Sequence, residues 1–170
     1  VTIVYRDATP ADLPAVDALF RRVFAEVFGH LYDPADLAAF FARFTPEAWA
    51  AELAQADLRI RLAIGDDGAP GGFAKVSDPT LPVEPAGKAM ELRQLYLDVE
   101  YRGRGIAETL MGWVMAEARA RGASELFLSV YVDNHRARRF YERYGFEPVG
   151  RYDFMVGNHA DEDIIMRARL

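Results

Sequence analysis

The sequence predicts one α/β (α+β) domain over residues 1–170, built on a mixed central sheet of about six to seven strands flanked by helices. Three observations carry this. The first third places apolar residues at helical spacing, whereas after residue 57 the period changes to two or to continuous apolar runs. Asp66-Asp67-Gly68 separates two of those runs and marks a hairpin, which requires antiparallel pairing. After Met90, two units of strand, loop and helix follow one another, and each crossover implies local parallel pairing. A chain of 170 residues buries roughly 70% of the surface of its unfolded form, enough to need no disulfide or metal staple.

Ile3 to Arg6 read as the first strand. Thr9-Pro10-Ala11-Asp12 supplies an N-cap, Pro at the first helical position and an acid at the third, so a helix begins there. Its apolar stripe is Leu13, Val16, Phe20, Val23, Phe24 and Val27, and Gly29 ends it. Asp33-Pro34 opens a second helix whose Leu37, Phe40, Phe41 and Phe44 read as core. Thr45-Pro46-Glu47 opens a third, with Trp49 and Leu53. Arg59 to Ile64 and Gly72 to Val76 form the hairpin, and the proline-rich segment 78–88 is a loop. A strand from Met90 to about Val99 leads into a helix from about Ile106 to Arg121, which Gly122 stops. The run Leu126 to Val132 is apolar on both alternating faces, as an inner strand covered on both sides must be. A helix from about His135 to Tyr144, Gly145 and two closing strands complete the chain.

Composition excludes several functions. The net charge of −6 opposes nucleic-acid binding, which needs a basic surface. Residues 1–99 carry nine Lys and Arg against fifteen Asp and Glu, while residues 100–170 carry eleven of each, so all the acid excess lies in the first part. Either this is solvated surface, or the first part faces a cationic group and the second tolerates anions. With no cysteine, the chain has no disulfide, thiolate metal site or cysteine nucleophile. His30, His135 and His159 lack metal-ligand spacing. No apolar run approaches the ~20 residues needed to span a bilayer. The first residues, Val-Thr-Ile-Val-Tyr-Arg-Asp, lack a signal peptide's layout. These features read as a soluble, cytoplasmic protein with no membrane or nucleic-acid partner.

The segment that carries chemistry is Leu95 to Ala107. A strand that feeds a glycine-containing turn and then a helix presents backbone N–H groups at a helix N-terminus, a site suited to phosphate oxygens. Gly103 and Gly105 allow close approach, and Arg102 and Arg104 add charged donors. A Walker-type loop would need Lys-Ser/Thr where Ile106-Ala107 stand, and a dinucleotide fingerprint would need glycine at Glu108. Arg102-x-x-Gly105-x-Ala107 instead resembles the pyrophosphate signature of the GNAT superfamily, the acetyl-CoA-dependent N-acetyltransferases. Asn134-x-x-Ala137-x-x-Phe140-Tyr141-x-x-Tyr144-Gly145-Phe146 resembles that superfamily's asparagine and helix-borne tyrosine before a Gly-Phe turn.

The resemblance implies a fold in which the strand from Met90 is bulged and splays from the strand at Leu126, with acetyl-CoA in the gap. It assigns backbone contacts to Leu95, Tyr96 and Leu97, the pyrophosphate to Arg102, Gly103, Arg104, Gly105, Ile106, Ala107 and Glu108, and the pantetheine arm to Asn134. Glu108 departs from the small or basic residue usual in that loop. Tyr141 matches the general acid; elsewhere a tyrosine on such a stripe would be an ordinary core residue. Because the acceptor amine must lose a proton before it attacks, a carboxylate or a carboxylate-bound water near the strand is required; the resemblance, in which an acid often stands near the start of this strand, makes Glu91 the candidate, with a solvated strand-end acid as the competing account. No metal is implied.

Phe20-x-x-x-Phe24, Gly72-Phe-Ala-Lys-Val76, Glu91-Leu-x-x-Leu-Tyr-Leu97, Phe154-x-x-Gly157 and Asp163-Ile-Ile-Met166 are similar to the bacterial PaiA-type spermidine/spermine acetyltransferases. Ser129-Val130-Tyr131 departs from their Gly-Val-Trp. This resemblance implies a small-molecule amine substrate of polyamine type, which Asp33, Asp36, Glu47 and Glu52 would meet. A protein N-terminus or lysine, as in ribosomal-protein acetyltransferases, is the alternative acceptor, and a non-catalytic acetyl-CoA sensor is the alternative class. A homodimer is common in the family, and the closing strands offer an edge for one.

Overall fold

The computed structural model describes residues 2–170. Seven strands form one mixed sheet: β1 (Val4–Asp7), β2 (Arg59–Ile64), β3 (Pro70–Ser77), β4 (Ala89–Leu97), β5 (Glu125–Tyr131), β6 (Glu147–Val156) and β7 (His159–Arg169), in the order β1-β2-β3-β4-β5-β7-β6. All neighbours are antiparallel except β4 and β5. Five α-helices accompany them: α1 (Leu13–Phe28), α2 (Pro34–Phe41), α3 (Pro46–Leu53), α4 (Ile106–Ala120) and α5 (His135–Glu142).

At some helix starts a side chain satisfies a free N–H group, whereas at Asp33 before α2 and Gly105 before α4 none does. The Asp12 carboxylate accepts from Thr9 N–H at 2.7 Å, ordering a 3₁₀ turn that leads into α1. Thr45 Oγ1 accepts from Ala48 N–H at 3.1 Å ahead of α3. The ends are shorter than apolar spacing suggests. After α2 the bonds Arg43 N–H to Phe40 O and Phe44 N–H to Phe41 O tighten the chain toward the Thr45 cap. The same i→i−3 pattern at Tyr144 and Gly145 closes α5 at Glu142.

Each helical stripe buries against one face of the sheet. On one face α4 places Ile106, Leu110, Met111, Val114 and Ala118 against Ala63, Ala74 and Val76. On the other, α1 to α3 cover Ile60, Leu62 and Phe73. Phe20 anchors the second layer, with its ring 4.6 Å from Phe44 and 5.4 Å from Tyr96, so the phenylalanine run is core.

One topological expectation changes. The α5 crossover does not bring β6 beside β5, because the β6–β7 hairpin folds back and inserts β7 between them. β6 is one edge of the sheet and β1 the other, and Glu147 to Arg151 on β6 are exposed. No described helix is long and apolar enough to cross a membrane.

Candidate active site

Parallel pairing between β4 and β5 covers only Ala89–Glu91 with Glu125–Phe127. Beyond those residues the strands part. On β4, Leu92 pairs with Val76 and Gln94 with Lys75, so Arg93 is an inserted residue that bends the strand. β5 meanwhile stays paired with β7 through Tyr131. The edge of β4 that faces β5 is therefore open from Leu92 onward, and a cleft of about 490 Å³ fills the gap.

The register fixes which side each β4 residue serves. Leu95 and Leu97 pair with Ala74 and Gly72 and face α4, whereas Gln94 and Tyr96 pair with Lys75 and Phe73 and face α1 to α3. The cleft thus opens on both faces of the sheet. At its α4 end, Gly103 and Gly105 have φ of +71° and +75°, the left-handed region that an L side chain enters only with strain. The first α4 hydrogen bond runs from Thr109 N–H to Gly105 O, which leaves the N–H groups of Ile106, Ala107 and Glu108 without an intrahelical partner. Arg143, which follows α5, lies 3.9 Å from Glu108 at the same end, and Arg136 of α5 also lines the cleft. This arrangement suits anionic oxygens.

Leu95, Tyr96, Leu97, Arg102, Gly103, Ala107, Glu108, Asn134 and Tyr141 all line the cleft. Gly105 caps the helix and Ile106 buries its side chain in the core, so neither presents a side chain to the cleft. The Arg104 side chain is exposed outside the cleft. Arg102 turns back: its guanidinium donates to Leu97 O at 3.1 and 3.2 Å and pairs with Glu26 at 3.2 Å, bracing the loop after β4. Glu108 has an electrostatic partner in Arg143 at 3.9 Å, which offsets an acid beside the anion site.

Asn134 is the N-cap of α5; its Oδ1 accepts from Ala137 N–H at 3.3 Å, leaving its side-chain amide N–H groups for a ligand. Tyr141 packs between Phe140 and Phe146, with ring centroids 5.6 and 5.8 Å away. Burial pushes its hydroxyl up to about 12.

Glu91 is elsewhere. Its carboxylate is buried and accepts from Thr80 N–H (2.7 Å), Thr80 Oγ1–H and Leu81 N–H (2.9 Å), and it does not line the cleft. Its position three residues into β4, where β5 is still paired, places it below the gap and gives it the task of anchoring the 78–88 loop. The four N-terminal acids also stand outside the cleft. Glu52 pairs with Lys75 (2.9 Å) and Arg93 (3.3 Å), and Asp36 accepts from Asn158 N–H (2.9 Å) at the β6–β7 turn. Asp33 is the N-cap residue of α2, and Glu47 lies in the first turn of α3.

Besides Glu108, the carboxylates that line the cleft are Asp161 and Asp163 of β7, which composition and motif reading did not single out as acidic wall. Asp161 and Asp163 are 5% and 6% exposed. Tyr32, just after α1, donates its hydroxyl to Asp161 Oδ2, and His159 Nε2 lies 3.2 Å from Asp161 Oδ1. The usable signal was the alternation of Asp161 and Asp163 in a strand whose next residue on that face is Ile165. No group of described residues has the makings of a metal site.

A splayed parallel pair beside a glycine-turned helix N-terminus is the frame of an acyl-transfer enzyme. The model of the Acetyltransferase (GNAT) family matches residues 18–146, and the chain belongs to this family and is an N-acetyltransferase. An uncharacterized N-acetyltransferase of Mycobacterium tuberculosis is 31% identical over 155 residues, covering 91% of this chain and 96% of that protein. A putative [ribosomal protein bS18]-alanine N-acetyltransferase of Bacillus subtilis is 26% identical over 145 residues, covering 85% and 91%. Among solved structures, the PaiA N-acetyltransferase of Thermoplasma acidophilum in complex with coenzyme A superposes with a TM-score of 0.79 at 20% identity, over the whole of both chains.

Proposed function

We propose that this enzyme moves an acetyl group from acetyl-CoA to the primary amine of a small cationic acceptor of polyamine type, with both substrates bound at once. The observation that carries the reading is the gap that opens after Glu91 and Phe127, with free helix N–H groups at one end and buried carboxylates at the other. The residues present fit the donor. The N–H groups of Gly103 through Glu108 would hold its pyrophosphate, with Arg136 and Arg143 adding charge, while the open edge of β4 at Leu95 to Leu97 and the Asn134 amide would hold the pantetheine arm. Acetyl-CoA supplies an activated thioester; the chain supplies position and proton movement. Tyr141 holds its proton until sulfur becomes anionic and then donates a hydrogen bond to it.

The kinship with the Bacillus subtilis protein favours a second acceptor, the N-terminal amine of a peptide beginning with alanine. A thiol-release screen with spermidine, spermine and an Ala-initiated peptide separates the two. Turnover of spermidine above the peptide supports the first reading, the reverse order supports the second, and turnover of no amine by protein that binds acetyl-CoA refutes both.

A further inference from the structure

The acceptor end of the cleft contains a buried carboxylate with no cation. Asp163 sits on β7 opposite Tyr131, the last residue of β5, and opposite Tyr152 of β6. It lines the cleft at 6% exposure and makes no ion pair with any described residue. The groups that face it are Asp161 on its own strand, Tyr32 after α1, Tyr96 on β4, Ser129 and Tyr131 on β5, and Tyr152 on β6, and none is cationic. Arg93, which also lines the cleft, is held on Glu52, and His159 lies against Asp161. Asp161 differs in kind: Tyr32 engages one of its oxygens and His159 the other, so it is a satisfied structural acid.

A second vacancy lies on the same side. Gln94 Oε1, facing α1 to α3 within the cleft, is buried and has no hydrogen-bond partner. A buried carboxylate with the Ser129 hydroxyl beside it but no ion pair calls for a cation, and an unpaired buried carbonyl oxygen calls for an N–H donor. An ammonium group answers either need. Tyr96 connects this end to the chemistry, since Asp163 and Tyr141 both lie near enough to its hydroxyl to oppose its ionisation.

We infer that Asp163 is the catalytic residue that receives the acceptor's ammonium group and removes its proton. This rests on the acetyltransfer reading above. The carboxylate takes one proton from R–NH₃⁺, and the freed nitrogen lone pair forms the N–C bond to the acetyl carbonyl carbon as the C–S bond breaks. The sulfur keeps the electron pair of that bond and gains a proton by way of Tyr141. Nitrogen loses its second proton as the amide forms, which restores the tyrosine, and the proton on Asp163 passes to solvent, so one proton is released per turnover. Burial and then the neighbouring Asp161 push the Asp163 carboxyl up to about 7, where a base is half ionised at neutral pH.

The test combines binding with a pH profile. CoA-loaded protein is titrated calorimetrically at pH 8 with spermidine and with an Ala-initiated tripeptide. Asp163→Asn is expected to weaken the better of these by at least tenfold while acetyl-CoA affinity stays within twofold, and Asp163→Glu to recover part of the loss. In turnover, kcat/KM of the wild type is expected to rise with pH through a midpoint near 7, and that limb to vanish in Asp163→Asn. Equal acceptor affinity in Asp163→Asn, a surviving limb near pH 7, or a CoA-loaded wild type that binds neither amine overturns the inference. Wild-type protein that fails to bind acetyl-CoA refutes the acetyltransfer reading itself.

Discussion

Tyr141→Phe deletes one oxygen and keeps the ring that packs on Phe140 and Phe146, so it isolates the hydroxyl. Burial places that hydroxyl at about 12, while a simple thiol titrates at ~8.5. Complete transfer of the proton to the leaving sulfur is therefore uphill by about 5 kcal/mol. The hydroxyl accordingly acts first as a hydrogen-bond donor to a developing anion, an interaction that contributes roughly 1.5–3 kcal/mol. Expressed only in the transition state, this corresponds to a fall in kcat of roughly 10- to 150-fold. The chain has no cysteine, so every thiol in a thiol-release assay comes from the donor. We expect kcat to drop within that range, acetyl-CoA affinity to stay within twofold, and the unfolding midpoint to be unchanged. A kcat within twofold of wild type would remove Tyr141 from the reaction and leave it as a core residue.

Because the Asp163 carboxyl is raised from 3.8 to about 7, the folded state holds a proton that the unfolded chain releases, and this contribution fades as pH climbs from about 4 to 7. Asp163→Asn should therefore be more stable than wild type at pH 8, by up to about 4 kcal/mol, and nearly equal at pH 4; urea titrations at both pH values check the sign, and a pH-independent difference refutes it. Glu91→Gln should cost about 1–2 kcal/mol through the Thr80 and Leu81 contacts and lower kcat less than Asp163→Asn does. The opposite ranking, with stability intact, would return the base to Glu91. Gly105→Ala should cost about 1–2 kcal/mol at its positive φ, whereas Gly105→Glu should also abolish the heat of acetyl-CoA binding. Retained binding in the glutamate variant would displace the pyrophosphate from this loop.

Local patterns were legible because they are enforced locally. The α1 stripe, the Thr45 cap and the turn before α4 depend on neighbours within a few residues, and each was readable. The same holds for the half of the site made by one stretch of chain: Leu95 to Glu108 emerges as a strand end followed by a helix start. What was hidden depends on strand order. Whether β6 or β7 lies beside β5 changes no local propensity, yet it decides whether Asp163 meets Tyr131 across the ladder. Glu91 stands outside the cleft for a related reason, since the point at which β4 leaves β5 is set by the bulge at Arg93, and a one-residue insertion leaves no mark in composition.

The acid excess of the first 99 residues does not gather at the cleft, which no Asp or Glu of that part lines. Acids in the first 99 residues outnumber bases, but several are engaged in holding the fold: Asp7 pairs with Arg61, Asp17 with Arg21, Asp98 with Arg22, and Glu52 with Lys75 and Arg93. Paired carboxylates have their charge offset and attract a passing cation weakly. Residues 100–170 balance to zero, and several of their charges pair with one another, Arg121 with Glu117, Arg143 with Glu108 and Arg151 with Glu162, while Asp163 on β7 lines the cleft with no ion pair to a described residue. A neutral sum thus conceals a buried carboxylate in the cleft that no described cation offsets, the feature on which the proposed cationic acceptor rests. Net charge counts residues, whereas recognition depends on which charges the fold leaves without a partner.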